Sequence, residues 1–234
     1  MHVLPVSQLA ADVRACFGGE GVQLHSYSSI HKRDEKAPLP TVGAMVQLRE
    51  RGEGEQTPAT AFGSAFHLVA QWLLGHPNPT DEALQQHLDA AARTWGLAPS
   101  ARPRLAQATD AWLSSRLFHQ VLGYPQRYAE HAFCVQVGTV PLEGFIDLLC
   151  VKPARREALV VDYKTGVSGA GAEELRQRYE LQASCYAYAV LATETCTSVR
   201  LEFVRPEDGM AQIGYAFTAA DLPTLQQRIL SASE

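Results

Sequence analysis

The feature that most constrains the fold is a pair of apolar segments joined by a short polar turn, in residues 141–166 (PLEGFIDLLCVKPARREALVVDYKTG). Apolar runs of this length, bounded by turn residues, predict the two strands of an antiparallel hairpin. If the strands pair symmetrically about the turn at 152–157, Asp147 lies directly opposite Asp162. Lys164 follows Asp162 by two residues, so we expect both side chains on one face of the sheet.

This hairpin places three charged side chains in strands that are otherwise apolar. Two carboxylates directly opposite each other destabilise a strand pair, and charged groups in an apolar setting need a compensating partner. A divalent cation between Asp147 and Asp162 would supply that partner, since Mg2+ binds one or two carboxylates and accepts phosphate oxygens. With Lys164 available to bind an anion, the pattern favours metal-assisted hydrolysis of a phosphodiester. The alternative is a surface ion pair of Asp162 with Lys164 and an exposed Asp147.

Helices and strands follow one another in blocks around the hairpin. The sequence predicts an N-terminal helix and tether at 1–24, then a domain at 25–234 that opens with a long exposed loop at 31–60, including a short helix at 41–50. Further predicted helices lie at 61–75, 81–97, 103–122, 172–192 and 219–231, and predicted strands at 128–137, 139–151, 158–165, 198–204 and 211–217. This order is typical of a mixed α/β or α+β core, with the helices of 61–122 packed on one side.

The composition narrows the class of protein. A formal net charge of -5 argues against a protein that coats nucleic acid by bulk charge, but it allows one that gathers acidic residues at a metal site. The five cysteines include no C-x2-C pair, so we expect neither a zinc site nor an iron–sulfur cluster. No apolar run approaches the roughly 20 residues of a membrane helix, and the first residues are unlike a signal peptide, which predicts a cytoplasmic protein with no membrane partner.

The charged residues of the hairpin resemble a known signature. Asp147, followed by Asp162-Tyr163-Lys164, is similar to the D…(D/E)-x-K pattern of the PD-(D/E)XK nuclease superfamily. The surrounding residues GFID and LVVDYKTG resemble the RecB-type branch, the nuclease domain at the C-terminal end of bacterial helicase–nuclease subunits. The resemblance implies a restriction-endonuclease-like α/β fold and hydrolysis of DNA with Mg2+ or Mn2+. Asp147 and Asp162 would hold the metal, and Lys164 would orient the attacking water.

Two further residues match the metal site of that family. Gly63 and His67 resemble its G-x-x-x-H motif, in which the histidine helps to ligate the metal, and the glycine would let the helix approach another backbone closely. The alternative for His67 is a half-buried histidine that bonds a backbone carbonyl. Glu130 resembles an acidic site residue at the start of the strand before the hairpin, and its alternative is a solvated glutamate.

The helix after the hairpin carries a third match. Tyr179, Gln182 and Tyr186 resemble the family's Y-x-x-Q-x-x-x-Y motif, and their spacing of three and four residues puts them on one helix face. The resemblance implies that Gln182 and Tyr186 act at the catalytic lysine and that Tyr179 stacks on a base, with core packing as the alternative. Arg176 and Arg178 are candidates for DNA contacts, or for a solvated face. Tyr163 has the opposite parity to Asp162 and should pack behind the sheet.

The sequence also indicates what this chain would need from other proteins. It contains no G-x-x-x-x-G-K-[ST] phosphate loop, so it cannot itself use ATP to unwind DNA. The resemblance therefore implies DNA, single-stranded in particular, as substrate and a helicase subunit or domain as partner. The chain is either an excised C-terminal domain, which Gly18-Gly19 as a tether favours, or a stand-alone relative. Two alternatives stay open: a catalytically silent DNA-binding or helicase-regulating module on the same fold, and a hydrolase of small phosphate esters.

Overall fold

A mixed sheet forms the centre of the protein in a computed structural model that describes residues 25–26, 58–166 and 169–233. The strands are β1 (His25–Ser26), β2 (Gln126–Val137), β3 (Val140–Lys152), β4 (Glu157–Tyr163), β5 (Ser198–Arg205) and β6 (Ala211–Thr218). The predicted helix and tether at 1–24, the short helix at 41–50 and the loop up to residue 57 lie outside the described residues. The five longer strands confirm the sequence prediction to within two residues at each end.

The strands follow the spatial order β2-β3-β4-β5-β6. β4 and β5 run parallel, whereas the other neighbours in this order are antiparallel. β1 pairs in parallel with β3 at Leu142 and Glu143. It lies on the same edge of β3 as β4, which pairs further along the strand. The predicted mixed sheet is therefore confirmed, and its central strands β3 and β4 are the two strands of the hairpin.

Four helices cover one face of the sheet: α1 (Pro58–Leu73), α2 (Asp81–Thr94), α3 (Arg102–Leu113) and α4 (Arg116–Leu122). Their buried side chains, with Phe66, Trp112 and Phe118 the largest, form one apolar cluster with Leu148 and Val161 of the sheet. Tyr163 belongs to this cluster and meets Phe66 and Trp112 edge to face, as its parity predicted. The prediction that these helices pack on one side is confirmed.

The prediction of one continuous helix over 103–122 was wrong, because the chain forms α3 and α4 there. Ser115 lies between them in an extended conformation, and its hydroxyl accepts a hydrogen bond from the Phe118 backbone N–H at 3.0 Å. A serine in this position satisfies a free amide at a helix start. It therefore begins a new helix, which the apolar spacing alone does not reveal.

Two helices cover the opposite face: α5 (Ala172–Thr193), which was predicted at 172–192, and α6 (Leu222–Ser233), which follows a short 3-10 turn. Neighbouring residues of one strand alternate between the two faces, since Leu149 and Val160 pack with α5 whereas Leu148 and Val161 pack with the first four helices. The sheet is thus buried on both faces. Among the described residues, no helix combines the length and apolar character needed to cross a membrane.

Candidate active site

Asp147 lies where the β3–β4 hairpin stops pairing. The register follows the sequence prediction, with the last pair formed by Leu148 and Val161. The next pair would be Asp147 with Asp162, but the ladder ends before it. The backbone N–H of Tyr163 donates a hydrogen bond to Asp147 Oδ2 at 2.8 Å instead. The carboxylate of Asp147, which is 9% exposed, is therefore fixed against β4 by a backbone amide.

The other edge of β3 is interrupted at the same residue. β2 pairs with β3 at Ala129 and again at His131, but Glu130 does not pair with Asp147 in the ladder. Glu130 has a φ of 50°, in the left-handed region that residues other than glycine rarely adopt. Such strain persists only where the surrounding structure holds it, often at functional sites. At this break in the ladder, the Glu130 carboxylate lies near that of Asp147, within the same group of potential metal ligands.

His67 of α1 bridges these two acids. Its Nδ1 lies 3.3 Å from Glu130 Oε1, and its Nε2 lies 3.5 Å from Asp147 Oδ2. One potential ligand atom from each of the three residues lies within 4.8 Å of the other two. Both ring nitrogens therefore face carboxylates, and the backbone carbonyl considered as the alternative partner of His67 is not the contact observed.

The charges in this cluster alter the pKa values of its members. Burial lowers the pKa of His67, but the carboxylates of Asp147 and Glu130 outweigh it and raise that pKa to about 9. Burial raises the pKa of Asp147 to about 6; Asp162 and Glu130 act in the same direction, and His67 opposes them. Without a metal ion, His67 is therefore protonated at neutral pH and supplies the positive charge that the acids need.

Asp162 forms a second cluster with residues of α5 and with Lys164. Its Oδ1 lies 2.6 Å from Lys164 Nζ. Its Oδ2 accepts hydrogen bonds from Gln182 Nε2 at 2.9 Å and from the Tyr186 hydroxyl at 3.3 Å. Gln182 also accepts a hydrogen bond from Lys164 Nζ at 2.9 Å, so its amide joins the lysine to the acid. The residues of the predicted Gln–Tyr motif therefore meet the acid and the lysine of the hairpin.

The protonation states in this second cluster follow from burial and charge. Burial lowers the pKa of Lys164, but the nearby Asp162 carboxylate outweighs it and raises that pKa above its usual value. Burial also raises the pKa of Tyr186, and the charges of Asp162 and Asp147 raise it further. At neutral pH, Lys164 is therefore a cation and Tyr186 is a neutral hydrogen-bond donor.

The donors in the two clusters fit a divalent cation. Carboxylate oxygens suit Mg2+ and Mn2+, and His67 adds an imidazole nitrogen. Asp162 Oδ1 is buried and lies 2.6 Å from Lys164 Nζ, its ion-pair partner. An oxygen with spare acceptor capacity in a buried site is suited to a cation. His67, Glu130 and Asp147 could share one ion, with Asp162 close enough to influence the charge of Asp147.

Tyr179 lies beneath the lysine. It is 8% exposed and stacks on Phe203 with ring centroids 4.9 Å apart. Lys164 Nζ lies 5.4 Å from the centre of its ring. This burial favours the core-packing role that the sequence analysis left open for Tyr179. Its ring lies next to the Lys164 ammonium group. Stacking of Tyr179 on a DNA base stays a prediction.

The two arginines predicted to contact DNA lie on the first turns of α5 and already have protein partners. Arg176 donates a hydrogen bond to the Gly214 carbonyl at 2.9 Å, and its guanidinium lies over the Tyr215 ring. Arg178 is exposed and pairs with Glu174 one turn earlier at 2.7 Å. Their contact with DNA also stays a prediction, because these partners neither require nor exclude it.

The sequence analysis missed two charged residues that hold the chain after Lys164. Glu207 Oε2 accepts a hydrogen bond from the Gly166 N–H at 2.6 Å, and Arg205 donates to the Gly166 carbonyl at 2.8 Å. The side chains of Arg205 and Glu207 are 4% and 6% exposed. Arg104 of α3 pairs with the other oxygen of Glu207 at 2.5 Å and so links the helices to this turn. The available signal was a run of charges, RPED, directly after the apolar segment LEFV.

Gly63 lets α1 approach the same turn. A Cβ atom at Gly63 would lie 3.0 Å from Thr165 Oγ1, which is closer than side chains normally pack. Thr165 directly follows Lys164, and His67 lies one helical turn after Gly63. The close approach predicted for this glycine is confirmed, although the neighbour is a side chain rather than backbone.

A mixed sheet between two helical layers, with its acids and lysine gathered where a hairpin ends, defines the restriction-endonuclease-like fold that the sequence predicted. Residues 42–233 match the sequence profile of the PD-(D/E)XK nuclease superfamily, and the chain belongs to this superfamily. Asp147, Asp162 and Lys164 lie within the matched range.

Comparisons with other proteins support the fold. The crystal structure of a candidate exonuclease from Eubacterium rectale is similar over 100% of this chain and 87% of its own, with a TM-score of 0.51 and 12% identity. At this identity the likeness shows the fold alone. A second crystal structure, of the protein SSO0001, has 15% identity over 73% of this chain and 75% of its own, and its TM-score of 0.30 carries no argument. No curated protein matches this sequence.

Proposed function

We propose that this protein is a Mg2+-dependent deoxyribonuclease of the RecB-like branch, which hydrolyses DNA phosphodiester bonds in a helicase–nuclease system of repair or recombination. One relationship carries the proposal. Asp147 Oδ2 faces His67 in the acidic cluster and also accepts the N–H of Tyr163, the residue between Asp162 and Lys164. The candidate metal ligands and the lysine are therefore held as one unit. A surface ion pair would need no such connection.

The acidic cluster would bind the cation. His67, Glu130 and Asp147 would hold it, and Asp162 would offer its buried Oδ1. When bound, the metal lowers the pKa of a coordinated water and neutralises charge on the phosphate. The Tyr163 amide keeps the Asp147 carboxylate in one orientation, so little reorganisation is needed.

The second cluster would stabilise the transition state. Lys164 is a cation held by Asp162 and Gln182, and it can donate a hydrogen bond to the attacking water or to a phosphate oxygen. A donor that is already oriented where charge develops lowers the barrier more than a mobile one. Tyr186 and Gln182 fix the carboxylate of Asp162 and keep the lysine aligned.

The proposal is tested by incubating the protein with single-stranded and duplex DNA in Mg2+, in Mn2+ and in EDTA. We expect cleavage only with the metal ion, and a loss of roughly 100-fold or more in Asp162→Asn and Lys164→Ala. Asp89→Asn is the matched control, because Asp89 lies on α2, away from both clusters, and accepts a hydrogen bond from Gln85 of its own helix. Cleavage that survives EDTA or Asp162→Asn contradicts the proposal. DNA binding without cleavage in either metal would favour the silent module.

A helicase partner would compensate for weak DNA affinity. With a net charge of -5, the chain gains little from counterion release, which supplies most of the non-specific affinity for DNA. The site itself gathers acidic groups that repel phosphate until a metal binds. A motor that feeds a single strand into the site raises the local strand concentration, as tethering does for a weak second contact.

This part of the proposal is tested by titrating short single-stranded DNA against the protein in Ca2+. We expect weak binding at physiological salt and faster cutting when a helicase partner delivers the strand. Binding by the isolated chain on the order of 10⁻⁸ M, the affinity of specific complexes, would contradict the need for a partner and favour a self-sufficient nuclease.

A further inference from the structure

A cavity of about 470 Å³ opens between the first helices and the turn after Lys164. Its lining includes the rings of Phe62 and Trp95 and polar groups of Ser100, Arg104, Gly166 and Glu207, and the Arg104 guanidinium lies over the Phe62 ring, 4.8 Å from its centre. This volume lies within the usual range of small-molecule sites, which combine an apolar wall with a few polar groups. The proposed chemistry uses none of these side chains, so the cavity has no assigned role.

The cavity and the candidate active site share the turn that follows Lys164. Gly166, which lines it, is two residues after Lys164. Phe62, which also lines the cavity, precedes Gly63, whose close approach to Thr165 brings α1 against the same turn. The wall of the cavity at Gly166 is therefore within about 7 Å of the lysine along the backbone. That position suits the nucleotide next to the scissile phosphate.

Trp95 gives the cavity a surface on which a flat ring can stack. Trp72 stacks on His76 and His87, and Trp112 packs edge to face in the core. The part of the chain that the structure describes contains no aromatic ring packed against Trp95, which is half-buried at the end of α2. Stacking of nucleic-acid bases on an aromatic side chain tolerates any base, because every base has a flat face.

The polar groups of the cavity favour a base over a phosphate. Arg104 and Glu207 form an ion pair, and the pair as a whole adds no net charge. Arg104 is 55% exposed and has donors left beyond those that bind Glu207. A guanidinium of this kind can donate to the acceptor atoms at the edge of a base. A free phosphate would meet the Glu207 carboxylate at the same wall.

We propose that this cavity is a nucleobase subsite, in which the base next to the scissile phosphate stacks on Trp95 and receives hydrogen bonds from Arg104. The inference rests on the proposed DNA cleavage and extends it to the positioning of the strand. A stacked base fixes its own phosphate relative to Lys164. The subsite accepts any base, because the stacking face is common to all of them.

The test uses single-stranded DNA with one abasic position, moved stepwise along both sides of the cleaved bond. In the wild-type protein we expect one position at which the missing base lowers kcat/KM by about 5- to 150-fold. In Trp95→Leu, intact DNA should be cut as slowly as that abasic substrate, and the abasic position should have no further effect. Trp95→Phe should restore the difference. An equal abasic penalty in the wild type and in Trp95→Leu overturns the proposal.

A binding measurement separates this inference from the proposed cleavage. In Ca2+ and in a Trp72→Phe background, where Trp95 and the fully buried Trp112 are the remaining tryptophans, the intact oligonucleotide should quench the fluorescence, and the abasic oligonucleotide should not. The quenching should disappear when Trp95→Leu is added to that background. Quenching without cleavage in Mg2+ would keep the subsite and overturn the proposed function. Fluorescence that does not respond to saturating DNA would overturn the subsite.

Discussion

The carboxylate of Asp147 accepts a hydrogen bond from the backbone amide of Tyr163, 16 residues later in the chain. Tyr163 stands between Asp162 and Lys164, so this single bond sets the position of β3's acid relative to both other residues of the signature. It occurs where backbone pairing between β3 and β4 has ended. The end of the ladder is therefore what makes the carboxylate available both to an amide and to His67.

This arrangement predicts different effects for two substitutions of Asp147. Asp147→Asn keeps an oxygen acceptor for the Tyr163 amide and removes clustered negative charge, so its free energy of unfolding should equal or exceed that of the wild type. Asp147→Ala leaves a buried N–H without a partner and should cost about 1–3 kcal/mol. Both variants should lose DNA cleavage. Denaturant unfolding checks the difference, and equal stabilities would show that the amide bond contributes little.

Metal binding should release a proton from His67. Its pKa is raised to about 9 in the metal-free protein, whereas a metal ligand must be neutral. Because protons compete for this site below that pKa, metal affinity should rise by up to about tenfold per pH unit toward pH 9 and then level off. Calorimetric titration of Mn2+ in two buffers with different ionisation enthalpies measures the released proton. In His67→Gln this release should disappear. Binding by the wild type near pH 7 without proton release would exclude His67 as a ligand.

Gly63→Ala should lower activity without unfolding the protein. Alanine favours a helix over glycine by about 1 kcal/mol, but its Cβ would press on Thr165 Oγ1 and shift the turn after Lys164. We expect cleavage to fall several-fold. Thr165→Ala removes the atom in contact, so the double variant should recover the activity of Thr165→Ala alone. If the two substitutions act independently, this contact does not position the lysine.

Glu207→Ala should destabilise the protein more than Arg104→Ala does. The first change leaves the Gly166 amide without its acceptor, which costs about 1–3 kcal/mol. The second removes an ion pair and a contact with the Phe62 ring, but Arg104 is 55% exposed and Glu207 keeps the Gly166 amide, so the cost should be smaller, about 1 kcal/mol. Glu207→Gln should lie between them, because it keeps an acceptor oxygen. Thermal unfolding and kcat measured on the same variants would show whether stability and the position of Lys164 change together.

The sequence by itself determined the sheet, the hairpin and most of the residues at the site. Apolar runs and turn residues are local features of the chain. The strands and the register of β3 with β4 could therefore be predicted from the sequence. The position of Gln182 and Tyr186 on one face of α5 could be predicted in the same way, because it follows from helical spacing. A local cap was the exception, since Ser115 divides a helix whose apolar pattern looks continuous.

Only the tertiary structure decided how these elements meet. It ends the ladder at Asp147, gives Glu130 a positive φ and brings His67 between the two acids. It also joins Arg205 and Glu207 to Gly166, and it opens the cavity beside Trp95. The hydrogen bonds and ion pairs among these link residues 39 to 80 positions apart, and Glu130 and Asp147 meet across neighbouring strands. The spacing of residues in the sequence does not predict these contacts, because they depend on how the helical layers pack against the sheet.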